Sequence, residues 1–214
     1  MADTRPLSLS RRTLIAAGLA ALPAEALAAR GQVVTILGDS ITAGLGLPAN
    51  LALPVQLHLA LEKLGVPNIV RGAGVSGDTS GDGAARMDFS IQPDTQVVVV
   101  ALGGNDLLQG VDTRTTEANL DKILTRLKAR HMGIVLAGLH APPEIGAGYA
   151  RDFNAIFPAL AKKHHVALYP DLLAGIERNR ALNQGDAIHP NAQGAAIIAT
   201  RLAPVVAKEL KKRP

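Results

Sequence analysis

Of the 214 residues, none is cysteine or tryptophan, two are tyrosine and three are phenylalanine. The missing cysteine excludes disulfides, thiolate nucleophiles and cysteine-ligated metals. It assigns no compartment, because an exported protein can do without disulfides. An aromatic content of 2% leaves almost nothing for nucleobases or sugar rings to stack on. Charge of one sign is not pooled. The net charge of +4 is spread along helix-like faces, apart from Arg11–Arg12 and a short basic C-terminal run, so no nucleic-acid partner is expected. No H-E-x-x-H pairing is present, and neither a metal nor an organic cofactor is expected. Long hydrophobic runs are missing too. The apolar stretch from Leu14 to Leu22 falls short of the ~20 residues of a membrane-spanning helix, so no stable membrane span is expected.

That stretch nevertheless carries an address. Arg11 and Arg12 precede it, and Ala26-Leu27-Ala28 follows as a small-x-small cleavage pattern. This is the layout of an export signal, and the paired arginines before Thr13, Leu14 and Ile15 resemble the twin-arginine type. Residues 1–28 are therefore read as a signal peptide and 29–214 as one domain, with a periplasmic or secreted location expected. The remaining length suffices for one sizeable core.

Within that domain, short apolar runs alternate with helical spacing. The runs are 32–37 (QVVTIL), 68–70 (NIV), 95–102 (TQVVVVAL), 133–139 (GIVLAGL) and 166–169 (VALY). They lack a polar alternation, as expected of strands covered on both faces in a parallel sheet. Between them, 53–65 places Leu53, Leu57, Leu61 and Leu64 on one stripe, and 115–131 does the same with Leu120, Ile123, Leu124 and Leu127. Segments 149–165 and 191–212 are further helices. The alternation predicts right-handed βαβ units in an α/β, three-layer α/β/α sandwich. His58, His131, His164 and His165 fall on helices or at their ends and are expected to be solvated, with His131 partnering a helix C-terminus.

Ligands of such sheets bind outside the carboxyl ends of the strands, so the residues after each run matter most. After the first comes GDS, with Ser40 following Gly38 and Asp39. A serine in such a turn is by itself ordinary turn chemistry, and position 42 is threonine, which rules out the G-x-S-x-G elbow. After the second comes GAGVSG (72–77), a G-x-G-x-x-G string. The dinucleotide reading of it fails, because the acidic residue about 20 positions on, Asp94, lies before the next strand rather than after it. After the third comes GGND (103–106), in which Asn105 offers an amide donor. Near the end, DAIHPN (186–191) sets Asp186 three residues before His189. At that spacing the carboxylate either reaches Nδ1–H of the imidazole and leaves Nε2 free as a base, or merely caps a turn beside a surface histidine. His140 follows the fourth run, at the same edge. A serine, a base with its orienter and donors for an oxyanion fill the roles that acyl transfer requires.

Four blocks in order, GDS at 38–40, GVSGDTS at 74–80, GGND at 103–106 and DAIHPN at 186–191, resemble the SGNH, or GDSL-type, esterase and lipase family. The likeness runs over the mature chain and is nearest to its bacterial periplasmic thioesterase, lysophospholipase and arylesterase branch. The resemblance implies a flavodoxin-like fold with about five parallel strands. It implies Ser40 as nucleophile, His189 as base and Asp186 as its orienter. The backbone N–H groups of Ser40 and Gly77 and the amide of Asn105 would form the oxyanion site, with Asp39 shaping the turn. The region 140–149, including Pro142, corresponds to the acyl site of relatives, although its Pro-Pro-Glu departs from their pattern. Leu107, Leu108 and the turn at Gly110 form either an apolar wall for the acyl chain or core.

The expected partner is a small-molecule ester or lipid, taken by a monomer. Two other readings use the same residues: a carbohydrate O-acetyl esterase, which the shortage of aromatics disfavours, and a non-catalytic exported binding protein, against which the intact Ser, Asp and His speak.

Overall fold

The computed structural model describes residues 31–213. The expected signal peptide lies outside the described residues. In chain order the elements are β1 (Gln32–Gly38), α1 (Ser40–Ala43), α2 (Leu53–Lys63), β2 (Asn68–Gly74), α3 (Ser80–Ser90) and β3 (Val97–Ala101). There follow α4 (Gly104–Gln109), α5 (Thr113–Ala129), β4 (Gly133–Ala137), α6 (Ala147–His164), β5 (Ala167–Tyr169) and α7 (Ala192–Leu210). The strands form one parallel sheet in the order β2-β1-β3-β4-β5. Helix α2 packs with α7, while α3, α5 and α6 pack in sequence as a second layer, giving the expected α/β/α sandwich.

The apolar runs became strands because both of their faces are covered: every residue of β3 and β4 is buried. The helical stripes hold as well, with Leu53, Leu57 and Leu61 buried on α2 and Leu120, Ile123, Leu124 and Leu127 on α5. Leu64 departs from its stripe. It caps α2 and is half exposed, because the helix ends one residue before it. Two of the five aromatics serve the core: Phe153 and Phe157 are fully buried on α6 and meet edge to face at 5.6 Å. His164 is buried rather than solvated, and its Nε2 lies 2.6 Å from Asp121 Oδ1 of α5.

The short helices α1 and α4, helix α3 and the end of β2 exceed the sequence expectation. Helix α3 contains two glycines and few apolar residues, which hid its period. Its start was nonetheless written as a capping box, Thr79 with Asp82. Strand β2 runs on through Gly72 and Gly74, which pair with Ile36 and Gly38 of β1.

The strand order places a switch point between β1 and β3, from which the chain winds outward in opposite directions. In sheets of this order the crevice above that point is where ligands bind. The segment after β1 carries Ser40 and that after β3 carries Asn105.

At Gly74 the turn after β1 approaches β2 so closely that a Cβ would lie 2.4 Å from the Ala43 nitrogen and 2.7 Å from the Asp39 carbonyl oxygen. Backbone cannot give way there as a flexible side chain does. Gly74→Ala is therefore expected to destabilise the fold by about 1–3 kcal/mol, the usual cost of overpacking. Gly148→Ala, an open site on α6, should be neutral or stabilising by a few tenths of a kcal/mol. Denaturant unfolding of the two variants checks the contrast.

Candidate active site

Strand β1 delivers Asp39 and Ser40 into the start of the four-residue helix α1. The Asp39 carboxylate accepts the Ile41 N–H at 3.0 Å and caps it. Ser40 is buried apart from its access to a cavity, and its Oγ lies 2.8 Å from His189 Nε2. His189 Nδ1 in turn lies 2.6 Å from Asp186 Oδ2. The other carboxylate oxygen of Asp186 accepts the N–H groups of Ile188 and His189, each at 3.0 Å. With Asp186 an acceptor only, Nδ1 carries the imidazole proton, so Nε2 is the basic nitrogen facing the serine. The hydrogen bonds from the His189 and Ile188 backbone, together with the imidazole, hold the Asp186 carboxyl down at about 2.

The turn between these two residues is tight, with Ala187 in the left-handed region at φ +60°. Side-chain amides hold the surrounding loop. Gln184 Nε2 donates to the carbonyls of Leu45, beyond α1, and of Pro190. Asn191 accepts from the Gln193 and Gly194 N–H groups and so starts α7.

Asn105 occupies the first turn of α4. Its Nδ2 donates to the Asp78 carbonyl at 2.9 Å, and a primary amide retains a second N–H. Gly77, at φ +90°, has open space where a Cβ would point. Ser40, Gly77, Asn105 and His189 line one cavity of about 680 Å³, so a single volume meets a hydroxyl, a base and N–H donors. This arrangement is able to attack a carbonyl and hold the resulting oxyanion.

The cavity also separates the expected binding residues. Leu107, Leu108 and Pro142 line it, as does His140. Leu107 packs partly against the core, whereas Leu108 is 62% exposed. Gly110 does not line it and instead terminates α4 at φ +66°. Sequence reasoning missed Leu45, Leu172, Leu173 and Ile188, all of which line the cavity. They sit in irregular segments, where no hydrophobic period marks them. No phenylalanine, tyrosine or tryptophan lines the cavity, and among the described residues no three His, Asp or Glu side chains are grouped to hold a metal.

Asp39 is shifted in the opposite direction to Asp186. Burial pushes it up to about 6, against the opposing hydrogen bond from the Ile41 N–H.

Comparison with known proteins agrees with this geometry. Residues 36–197 match the model of the GDSL-like lipase/acylhydrolase family. The chain is 36% identical to thioesterase 1/protease 1/lysophospholipase L1 of Escherichia coli, over 82% of this chain and 84% of that one. It is 33% identical to the esterase TesA of Pseudomonas aeruginosa, over 84% and 90% of the two chains. Among solved structures, AlinE4, an SGNH-hydrolase family esterase, superposes with a TM-score of 0.71 at 39% identity, covering 84% of this chain and 97% of that one. With sheet order, block order and these relatives in accord, the chain belongs to the GDSL-like lipase/acylhydrolase family and is a carboxylic ester hydrolase.

Proposed function

We propose that the protein cleaves carboxylic esters by two-step acyl transfer through an acyl-enzyme on Ser40. The observation that carries this reading is the continuous chain from Ser40 Oγ through His189 to Asp186. His189 Nε2 takes the Ser40 proton as Oγ attacks the ester carbonyl. The N–H groups of Ser40 and Gly77 and the free N–H of Asn105 receive the oxyanion. The intermediate collapses with cleavage of the bond to the alcohol or thiol, which leaves with the proton from His189. Water, deprotonated by the same nitrogen, then releases the acid and restores Ser40. Asp186 stays ionised throughout and stabilises the imidazolium.

An acyl chain suits the apolar groove lined by Leu45, Leu108, Leu139, Leu172 and Ile188. Aryl esters, lysophospholipids and acyl-thioesters are the substrate classes we propose, in line with the names of the relatives. The absence of phenylalanine, tyrosine and tryptophan from the lining weighs against a carbohydrate O-acetyl ester. The basic, apolar and small-x-small order of residues 1–28 supports export, after which the enzyme acts in the periplasm or outside the cell as a monomer.

A fluorophosphonate should label Ser40, located by peptide mapping. Ser40→Ala should lose label and lower kcat by about 10⁴-fold or more; retained turnover would sink the proposal. Asn105→Ala should keep the label site but lower kcat about 10²–10³-fold, the usual effect of removing one oxyanion donor. Leu108→Glu should raise KM for p-nitrophenyl octanoate by about 10-fold, the scale of a lost apolar contact, with p-nitrophenyl acetate little changed.

The last expectation concerns pH. Asp39 has a native value of about 6 against 3.8 for the ordinary carboxyl. Between these values the native state keeps a proton that the unfolded chain has released, so stability falls as pH rises through the window and levels off above it. The fall is on the order of 3 kcal/mol. Asp39→Asn keeps the cap on Ile41 and removes the titration. The unfolding free energy of wild type minus that of the variant should therefore decrease from about pH 4 to pH 6. A flat difference would place the titration elsewhere.

A further inference from the structure

Behind the site, away from the cavity, lies Arg86 of α3, which the acyl-transfer steps do not use. Its Nε donates to Asp78 Oδ2 at 2.5 Å. One Nη donates to the carbonyls of both Gly38 and Ala73 at 2.9 Å, and the other to Ser90 Oγ at 3.0 Å. The side chain is 21% exposed and its Asp78 partner 11%. Neither residue lines the cavity.

The partners are not arbitrary points on the fold. Gly38 is the last residue of β1 and precedes Asp39 and Ser40. Ala73 lies at the end of β2, from which the chain enters the loop carrying Gly77. Asp78 follows Gly77, and its carbonyl oxygen is the atom to which Asn105 Nδ2 donates. Two of the three segments, those that bring Ser40 N–H and Gly77 N–H to the cavity, thus meet at one guanidinium, and the third, which carries the Asn105 amide, joins them through the Asp78 carbonyl. A planar fork of donors is needed for this. An ammonium on a flexible stem offers no fixed angles between its hydrogens and cannot address a carboxylate and two strand ends in one plane.

We infer that Arg86 is a positioning residue for the oxyanion site, setting the mutual distances of its three donors without touching substrate. Preorganised donors contribute because they need not move as charge develops, and misplacement by about 1 Å costs up to 10²-fold. The inference rests on the hydrolytic reading above.

The test is a double-mutant cycle on the full-length enzyme with a p-nitrophenyl ester, combining Arg86→Met with Asn105→Ala. Arg86→Met should lower kcat about 10- to 100-fold with KM changed less than about threefold. It should slow fluorophosphonate labelling of Ser40 in parallel, since the phosphonyl oxygen occupies the same donors. In the Asn105→Ala background the same substitution should cost only a few-fold, because the donors it aligns are already incomplete. Arg86→Lys should recover little. A residue that merely stabilises the fold would lower Tm and leave kcat of the folded enzyme alone. Where Arg86→Met does not fold, Asp78→Asn takes its place in the cycle, since it removes the carboxylate but keeps the carbonyl that receives Asn105. The inference is overturned if kcat stays within twofold of wild type in the folded variant, or if the two effects multiply fully. An active Ser40→Ala enzyme would instead overturn the hydrolytic reading, so the two failures are separable.

Discussion

The close approach of the turn Asp39–Ala43 to strand β2 at Gly74 is the constraint on which the site depends. Backbone lies against backbone there, with no room for a single carbon between them. Ser40 therefore has its position fixed by the sheet and not by a side-chain pocket. A second glycine of the string, Gly72, makes similar room for Pro54 of α2, so the helix that follows the turn is seated by the same means. Spacing that looks like a phosphate cradle serves to bring two parts of the protein together. Only the last glycine, Gly77, faces open space.

Around this contact the buried polar groups link the helices that carry the rest of the site. Asp106, with no exposed surface, accepts from the Ser80 N–H at 2.7 Å, from Ser80 Oγ and from Thr116 Oγ1. One carboxylate thus joins the starts of α3, α4 and α5, and its neighbour Asn105 faces the cavity. A polar group buried this way is tolerated because each oxygen has a donor. Pairs of adjacent residues divide the labour at both strand ends: Asp39 caps while Ser40 meets His189, and Asp106 ties helices while Asn105 lines the cavity.

Much of this was legible in the sequence, for identifiable reasons. Continuous apolar runs such as 95–102 locate the strands because a sheet covered on both faces tolerates no polar alternation. The serine, amide and Asp-His residues could be placed at one edge because a parallel sheet puts every strand's carboxyl end on the same side. What escaped has physical causes too. Helix α3 has a capping box but too little apolar surface to show a period. Leu64 continues a stripe beyond the end of its helix. His164 reads as a solvated helix end, yet Asp121, distant in sequence, makes its burial tolerable. Gly110 lies beside two residues that line the groove but is needed for a left-handed helix end. The leucines at 172 and 173 belong to a loop, and no local rule predicts which loop residues will meet across a cavity.

That loop has a further consequence. Ser40 and Asn105 stand at helix starts just beyond strand ends, whereas His189 and Asp186 ride on a stretch from β5 to α7 whose only strand-like pairing among the described residues is a single bridge, Asn183 with Pro190. It is moored by amides: Asn183 to the Ile176 carbonyl, Gln184 to that of Leu45, Asn191 to that of Ala181. Segments held in this manner open at lower free energy than a sheet interior. In the proposed mechanism the mooring of His189 is therefore the part of the site expected to open first on heating, ahead of the sheet that carries Ser40.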